Sequence, residues 1–199
     1  MAANRDRDMV LASNNPGKAA ELSRMLGERG FRIIPQSEFN TPEAEETAAS
    51  FVENALIKAR NAAATSGLPS LADDSGLCVD SLEGLPGVRS ARYAGPAASD
   101  SDNVEKLLAA LEGHDGEARR ARFVCLMVLV RHALDPLPLI AQGEWPGHIA
   151  SQPAGAGGFG YDPVFIPDGY SLTAAELDPD EKNRISHRGQ ALRQLIEQL

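Results

Sequence analysis

Two adjacent carboxylates and a hydroxyl, Asp73-Asp74-Ser75, lie between short apolar runs and are closed by Gly76. A hard divalent ion such as Mg²⁺ takes oxygen ligands, commonly one or two carboxylates with water and substrate phosphates, so this stretch has the chemistry of the metal end of a phosphate site. Side chains alternate faces along an extended segment, so Asp73 and Asp74 point in opposite directions and only one of them can serve a given cleft. Gly76 supplies a turn. A plain hydrophilic turn between strands is the competing reading, since Asp, Ser and Gly form turns for reasons unrelated to catalysis.

Three further stretches carry groups suited to an anionic, partly aromatic ligand. Ser13-Asn14-Asn15-Pro16-Gly17-Lys18 contains an N-cap candidate, Asn15, and a proline suited to the first helical position. Lys18 then falls in a helical first turn, where free N–H groups and the positive end of the dipole favour an anion. The sequence GxxxxGK[ST] is absent, so this is no Walker A loop, and an ordinary capped helix fits equally well. In Gly155-Ala156-Gly157-Gly158-Phe159-Gly160-Tyr161-Asp162-Pro163 the glycines allow close backbone approach and an aromatic could stack on a nucleobase. A flexible hinge is the alternative there. Asp180 to Leu192 gathers basic groups in an acidic chain: Lys182 can neutralise phosphate as a point charge, and Arg188 can offer a planar fork to an acceptor edge. A solvated helix start would look similar.

The elements that must hold these groups are legible from periodicity. Met9-Val10-Leu11-Ala12 reads as a buried strand, followed by a helix with Leu22, Met25 and Leu26 on one face, then the strand Arg32-Ile33-Ile34-Pro35. Glu43, Glu45 and Glu46 precede a long helical pattern from Phe51 to Thr65-Ser66-Gly67; acids near a helix start stabilise by about 0.3–1 kcal/mol without any function, and a second metal ligand from among the three is the alternative. Asn103 to Leu111 reads as an amphipathic helix capped from the Ser99 to Asp102 cluster. Ala121 to Val130 and Leu137 to Trp145 form an expected antiparallel pair, with Arg119, Arg120 and Arg122 as surface or interface charges. Asp180 to Leu192 opens one final helix with Leu192, Leu195 and Ile196 in its stripe.

With 199 residues, 43% of them hydrophobic, the chain can bury a substantial core, and no linker, repeat or low-complexity tract divides it, so residues 1–199 are expected to act as one domain. A net charge of −9 argues against a nucleic acid partner, because backbone binding requires a basic surface. Neither a signal peptide nor a membrane span is legible, which implies a cytoplasmic protein. Cys78 and Cys125 sit in apolar runs without CxxC spacing, as buried thiols do.

Five motifs in one order then carry a family resemblance: Ser13 to Lys18, Ser50-Phe51-Val52-Glu53-Asn54-Ala55, Ala72-Asp73-Asp74-Ser75-Gly76-Leu77, Gly157-Gly158-Phe159-Gly160-Tyr161-Asp162-Pro163 and Ser186-His187-Arg188-Gly189. Together they resemble the inosine triphosphate pyrophosphatase family over nearly the whole chain. The resemblance implies an elongated α/β fold with a mixed central β-sheet, flanking helices and two lobes around a nucleotide-binding cleft, usually as a homodimer. It also implies Mg²⁺-dependent hydrolysis of a nucleoside triphosphate, ITP, dITP or XTP, to monophosphate and pyrophosphate. By position, Asp74 matches the catalytic carboxylate that holds Mg²⁺ and activates water, and Glu45 a further acidic position near the metal. Ser13, Asn14, Asn15, Pro16, Gly17 and Lys18 would bind the triphosphate, assisted by Ser75 and Lys182. Phe159, Gly160, Tyr161 and Asp162 would contact the nucleoside, and His187 with Arg188 would read the base. A pyrimidine-specific sister pyrophosphatase and a nucleotide sensor without catalysis are the alternatives. A serine hydrolase is disfavoured, since no GxSxG surrounds Ser75.

Overall fold

The computed structural model describes residues 7–13 and 16–199, without the side chains of residues 16–21. Its strands are β1 (Asp8–Leu11), β2 (Arg32–Pro35), β3 (Ser70–Val79), β4 (Arg120–Val130), β5 (Leu139–Ile149) and β6 (Phe165–Pro167). Its helices are α1 (Pro16–Gly27), α2 (Phe51–Ser66), α3 (Asp100–Ala110), α4 (Pro179–Ile185) and α5 (His187–Glu197). The strands make one sheet in the order β2-β1-β3-β4-β5-β6. β1 pairs in parallel with both β2 and β3, whereas β5 and β6 run antiparallel, so the sheet is mixed. The expected α/β class with a mixed central sheet and flanking helices is the one observed.

Parallel neighbours require a crossover, and α1 and α2 supply the connections from β1 to β2 and from β2 to β3. Local chemistry sets their ends. Ser50 caps α2 with its hydroxyl towards the Glu53 N–H, and Gly67 closes it at φ 68°, a left-handed conformation that glycine adopts without a Cβ penalty. Ser99 and Asp102 form a reciprocal capping box at the start of α3.

The chain divides into two compact units. One comprises Met1–Asp74, Leu126–Ala141 and Leu192–Leu199. Its core sets Ala55, Ala59, Ala62 and Ala63 of α2 against Val10, Ala12, Ala72, Val128 and Val130. Such small side chains let the helix backbone lie close to the strands. The other unit comprises Ser75–Cys125 and Gln142–Ala191. Its core joins Val104, Leu107 and Leu111 to Leu77, Phe123, Trp145, Tyr161 and Phe165.

Three expectations are corrected. Gly76 makes no turn: β3 runs straight through it, with all but Ser75 and Cys78 buried along its length. Covering both faces of the strand overrides the turn preference of Asp-Ser-Gly. The final helix is two helices, because Ser186 adopts extended backbone at φ −66° and ψ 159° and separates α4 from α5. Arg119 is no free surface charge: half-buried, it donates to the carbonyls of Leu111, His114, Ile149 and Ala150 and so satisfies four backbone oxygens at once. Arg120 and Arg122 do lie at the surface, paired with Asp168 and Asp80. Cys78 and Cys125 are thiols and form no disulfide. Among the described residues no helix is long and apolar enough to cross a membrane.

Candidate active site

The first group of functional side chains belongs to the unit built on α2. Asn54 and Lys58 are four residues apart on this helix, hence on one stripe, beside the alanines that face the sheet. Both reach Asp74. The Lys58 ammonium is 3.0 Å from Asp74 Oδ1 and 2.9 Å from Glu46 Oε1. Asn54, wholly buried, donates from Nδ2 to Asp74 Oδ2 at 3.4 Å and accepts the Ala48 N–H at 3.0 Å. It thereby holds both the carboxylate and the loop that carries Glu46.

Asp73 and Asp74 are 2% and 6% exposed, so neither is the solvated turn residue that their sequence context allows. Burial by itself would lower the Lys58 pKa, but the carboxylates of Asp74, Asp73 and Glu46 overcome that effect and raise it. The balance is reasonable: opposite charges about 4 Å apart attract by about 4 kcal/mol at an effective dielectric of ~20, and Lys58 has two such contacts. The lysine is therefore an ammonium at neutral pH.

Among the described residues no cluster of three or more His, Cys, Asp or Glu side chains could hold a metal. Glu46 and Asp74 nevertheless present oxygens to one cationic centre, and a pair of carboxylates is what Mg²⁺ ordinarily takes from protein beside water and phosphate. The donor set fits that ion. Glu45, the acid expected near the metal, is exposed, and its neighbour Glu46 makes the contact with Lys58. Ser13 is half-buried just beyond β1. Asn14 and Asn15 lie outside the described residues, as do the side chains of Pro16, Gly17 and Lys18, whose backbone opens α1. The cap expected at Asn15 and the anion contact expected of Lys18 fall there.

The second group belongs to the other unit, where the glycine loop meets α4 and α5. Asp162, buried, accepts the Phe159 N–H at 2.8 Å and the Lys182 ammonium at 2.5 Å. Gly160 donates its N–H to Asp100 of α3 at 2.6 Å. These bonds fix a turn whose tip, Phe159, is 40% exposed. The Phe159 ring has Lys182 Nζ at 5.4 Å and Arg188 Cζ at 5.5 Å from its centroid, so an exposed aromatic face and two cations share one locality. Tyr161 differs from its neighbours. It is buried, and its hydroxyl donates to the Ser90 carbonyl at 2.9 Å, which anchors the loop to the core. Burial raises the Tyr161 pKa, with Tyr93 and Asp100 adding to the shift, so the phenol stays a hydrogen-bond donor.

His187 and Arg188 open α5, and both are almost fully buried. The imidazole stacks on Phe123 at 4.8 Å between centroids and 9° between planes, with Trp145 at 6.2 Å. Gly143 of β5 permits this seat: a Cβ there would overlap the His187 carbonyl and approach the Ala191 nitrogen to 2.7 Å. Ser75 is half-buried in β3.

Asn54, Lys58, Asp100 and Phe123 escaped the sequence reading, whereas Glu46 is one of the three acids that it offers as a second metal ligand. Asn54 stood inside a quoted motif, and its spacing to Lys58 places two polar groups on the helix stripe next to an alanine face, which is a readable signal. Nothing in the local sequence marks Asp100 or Phe123, whose partners lie 60 and 64 positions further along the chain.

A model of the Ham1 family matches residues 9–198. The chain belongs to the Ham1 family. Among its relatives, the dITP/XTP pyrophosphatase of Methylococcus capsulatus is 61% identical over 193 residues, covering 97% of this chain and 96% of that protein. The dITP/XTP pyrophosphatase of Thioalkalivibrio sulfidiphilus is 59% identical over 191 residues, covering 96% and 97%. A solved Ham1 protein from Coxiella burnetii superposes with a TM-score of 0.90 at 53% identity, covering 94% of this chain and 95% of that one. The Ham1 match includes both groups of side chains described above.

Proposed function

We propose that this chain is a nucleoside triphosphate pyrophosphatase that hydrolyses deaminated purine nucleotides, ITP, dITP and XTP, to the monophosphate and pyrophosphate, and so keeps them from incorporation into DNA and RNA. The observation that carries this reading is the buried Asp74 carboxylate, shared by Lys58 and Asn54 and paired with Glu46 around one cationic position. A nucleotide sensor has no use for such a centre. The names of the relatives support the substrate class.

In this reading Asp74 orients the attacking water and accepts its proton, a role that contributes about 10²–10⁴-fold in rate. Glu46 and Asp74 would hold Mg²⁺, which when bound neutralises phosphate charge and acidifies water. Lys18 and Lys182 would meet phosphate oxygens, with Ser13 to Gly17 and Ser75 completing the cradle. Phe159 would stack on the base. His187 and Arg188 would donate to the C6 carbonyl that hypoxanthine and xanthine carry where adenine has an amino group. A site built to hydrogen-bond one group rejects its analogue by up to ~10⁴–10⁵, because its own buried donors are left unpaired. Residues 1–199 would act as one catalytic domain, in a cytoplasmic homodimer.

The test is pyrophosphate release from ITP, XTP, dITP, GTP, ATP and UTP, with Mg²⁺ and with chelator, for wild type and Asp74→Asn. Fast, metal-dependent release confined to ITP, XTP and dITP, and lost in the variant, is the expected result. Binding of ITP without release would replace the enzyme by a sensor, and activity centred on UTP would replace it by a pyrimidine-directed sister.

A further inference from the structure

We infer that Lys58 is a competitor of the divalent ion: it occupies the oxygens that the ion uses, and entry of the ion drives its ammonium off Glu46 and Asp74 and onto substrate phosphate. The inference rests on the proposed reading of those two carboxylates as metal-binding groups.

The geometry requires a choice. One ammonium lies 2.9 Å from Glu46 Oε1 and 3.0 Å from Asp74 Oδ1, so it sits where a hard cation coordinated by both carboxylates would have to be. Two cations cannot share that position, because like charges repel strongly at such separations in a poorly solvated site. The carboxylates themselves are held in place: Asn54 fixes Asp74 Oδ2 and, through the Ala48 backbone, the loop bearing Glu46. Lys58 is the mobile partner, an ammonium on a flexible four-carbon stem. Its side chain is 16% exposed, so it can swing outward without leaving a buried charge behind. Released, it remains close to the reacting phosphates as a positive point charge that arrives only when the ion does. Coupling of this kind keeps the two carboxylates neutralised at every stage and makes phosphate binding depend on the ion.

The consequence runs opposite to that of an ordinary supporting residue. Removing a side chain that merely props up a metal site weakens metal binding, whereas removing a competitor strengthens it. Mn²⁺ binding to the protein without nucleotide, followed by the electron paramagnetic resonance signal of the unbound ion, is compared for wild type, Lys58→Met, Lys58→Gln, Lys58→Arg and Asp74→Asn. The expected result is Mn²⁺ affinity about tenfold or more tighter in Lys58→Met and Lys58→Gln than in wild type. Lys58→Arg should bind no tighter than wild type and Asp74→Asn should lose binding, with turnover of ITP reduced in every Lys58 variant. Thermal unfolding with and without Mn²⁺ gives a second readout: the ion should raise the Tm of Lys58→Gln more than that of wild type. Equal or weaker affinity in both neutral variants, with Asp74→Asn still deficient, would overturn the competition while leaving the metal site standing. Wild-type affinity in Asp74→Asn, or no binding in wild type and neutral variants alike, would overturn the metal site and the competition together.

Discussion

The imidazole of His187 lies flat on the ring of Phe123, 4.8 Å away and tilted by 9°, although 64 positions separate them in the chain. β4 contributes one ring and the first turn of α5 the other, and Gly143 of β5 leaves room for the helix to approach. A residue proposed to read a base is thus oriented by an aromatic from a different element. Phe123→Ala should cost about 3–5 kcal/mol of stability, as buried Phe truncations do, and should also raise KM for ITP by freeing the imidazole. Thermal unfolding and steady-state kinetics below the new Tm measure the two effects. An unchanged KM in folded protein would make the stack purely structural.

Arg188 tests base discrimination. It is almost fully buried beside the exposed Phe159 ring. If its donors meet the C6 carbonyl, Arg188→Ala should lower kcat/KM for ITP by about 10–100-fold, the usual loss of a charged hydrogen bond, with a much smaller effect on residual ATP turnover. Equal losses on both nucleotides would assign the guanidinium to phosphate or to structure.

Two glycines of one loop should respond differently to the same substitution. Gly158 and Gly160 have φ of +73° and +60°, so alanine is strained at either by about 1–2 kcal/mol. A Cβ on Gly158 would also overlap Asp162 Oδ2 and come within 3.0 Å of Lys182 Nζ, whereas one on Gly160 meets nothing within 4 Å. Gly158→Ala should therefore raise KM for ITP well beyond Gly160→Ala. Comparable kinetics in the two variants would show that the Asp162–Lys182 pair does not set the position of Phe159.

Acid stability should depend on Asp135, in the connection between β4 and β5. Its carboxylate accepts the Arg131 guanidinium at 2.6 and 2.8 Å and the N–H groups of Arg131 and Leu137 at 2.9 and 3.0 Å, and these bonds hold its pKa well below the usual carboxylate range. A depressed folded-state pKa contributes stability that is present above the unfolded value of about 3.9 and is lost as pH falls towards the folded value. Asp135→Asn should lower the urea midpoint at pH 7, and the gap from wild type should narrow below about pH 4. A gap independent of pH would mean that the loss comes from geometry and not from charge.

How much of this was legible beforehand varies with the range of the interactions. Strands β1 and β2 and helices α1, α2 and α3 follow from apolar periodicity and caps, all of which act within a few residues. The break at Ser186 is not legible because no glycine or proline interrupts Asp180 to Arg188, and only tertiary packing makes two helices preferable to one. Gly76 was misread for the related reason that a turn signal yields when both faces of a strand are covered.

The sequence by itself determined the chemistry available: a carboxylate pair at Asp73-Asp74, an aromatic on a glycine loop, basic groups at Lys182, His187 and Arg188, and an order of motifs shared with one family. Only the tertiary structure decided which groups work together. It put Lys58 between Glu46 and Asp74, Asp162 on Lys182 and Phe123 on His187. Those partners are chosen by how elements pack across sheet and helix, over separations at which the local sequence carries no information about contact.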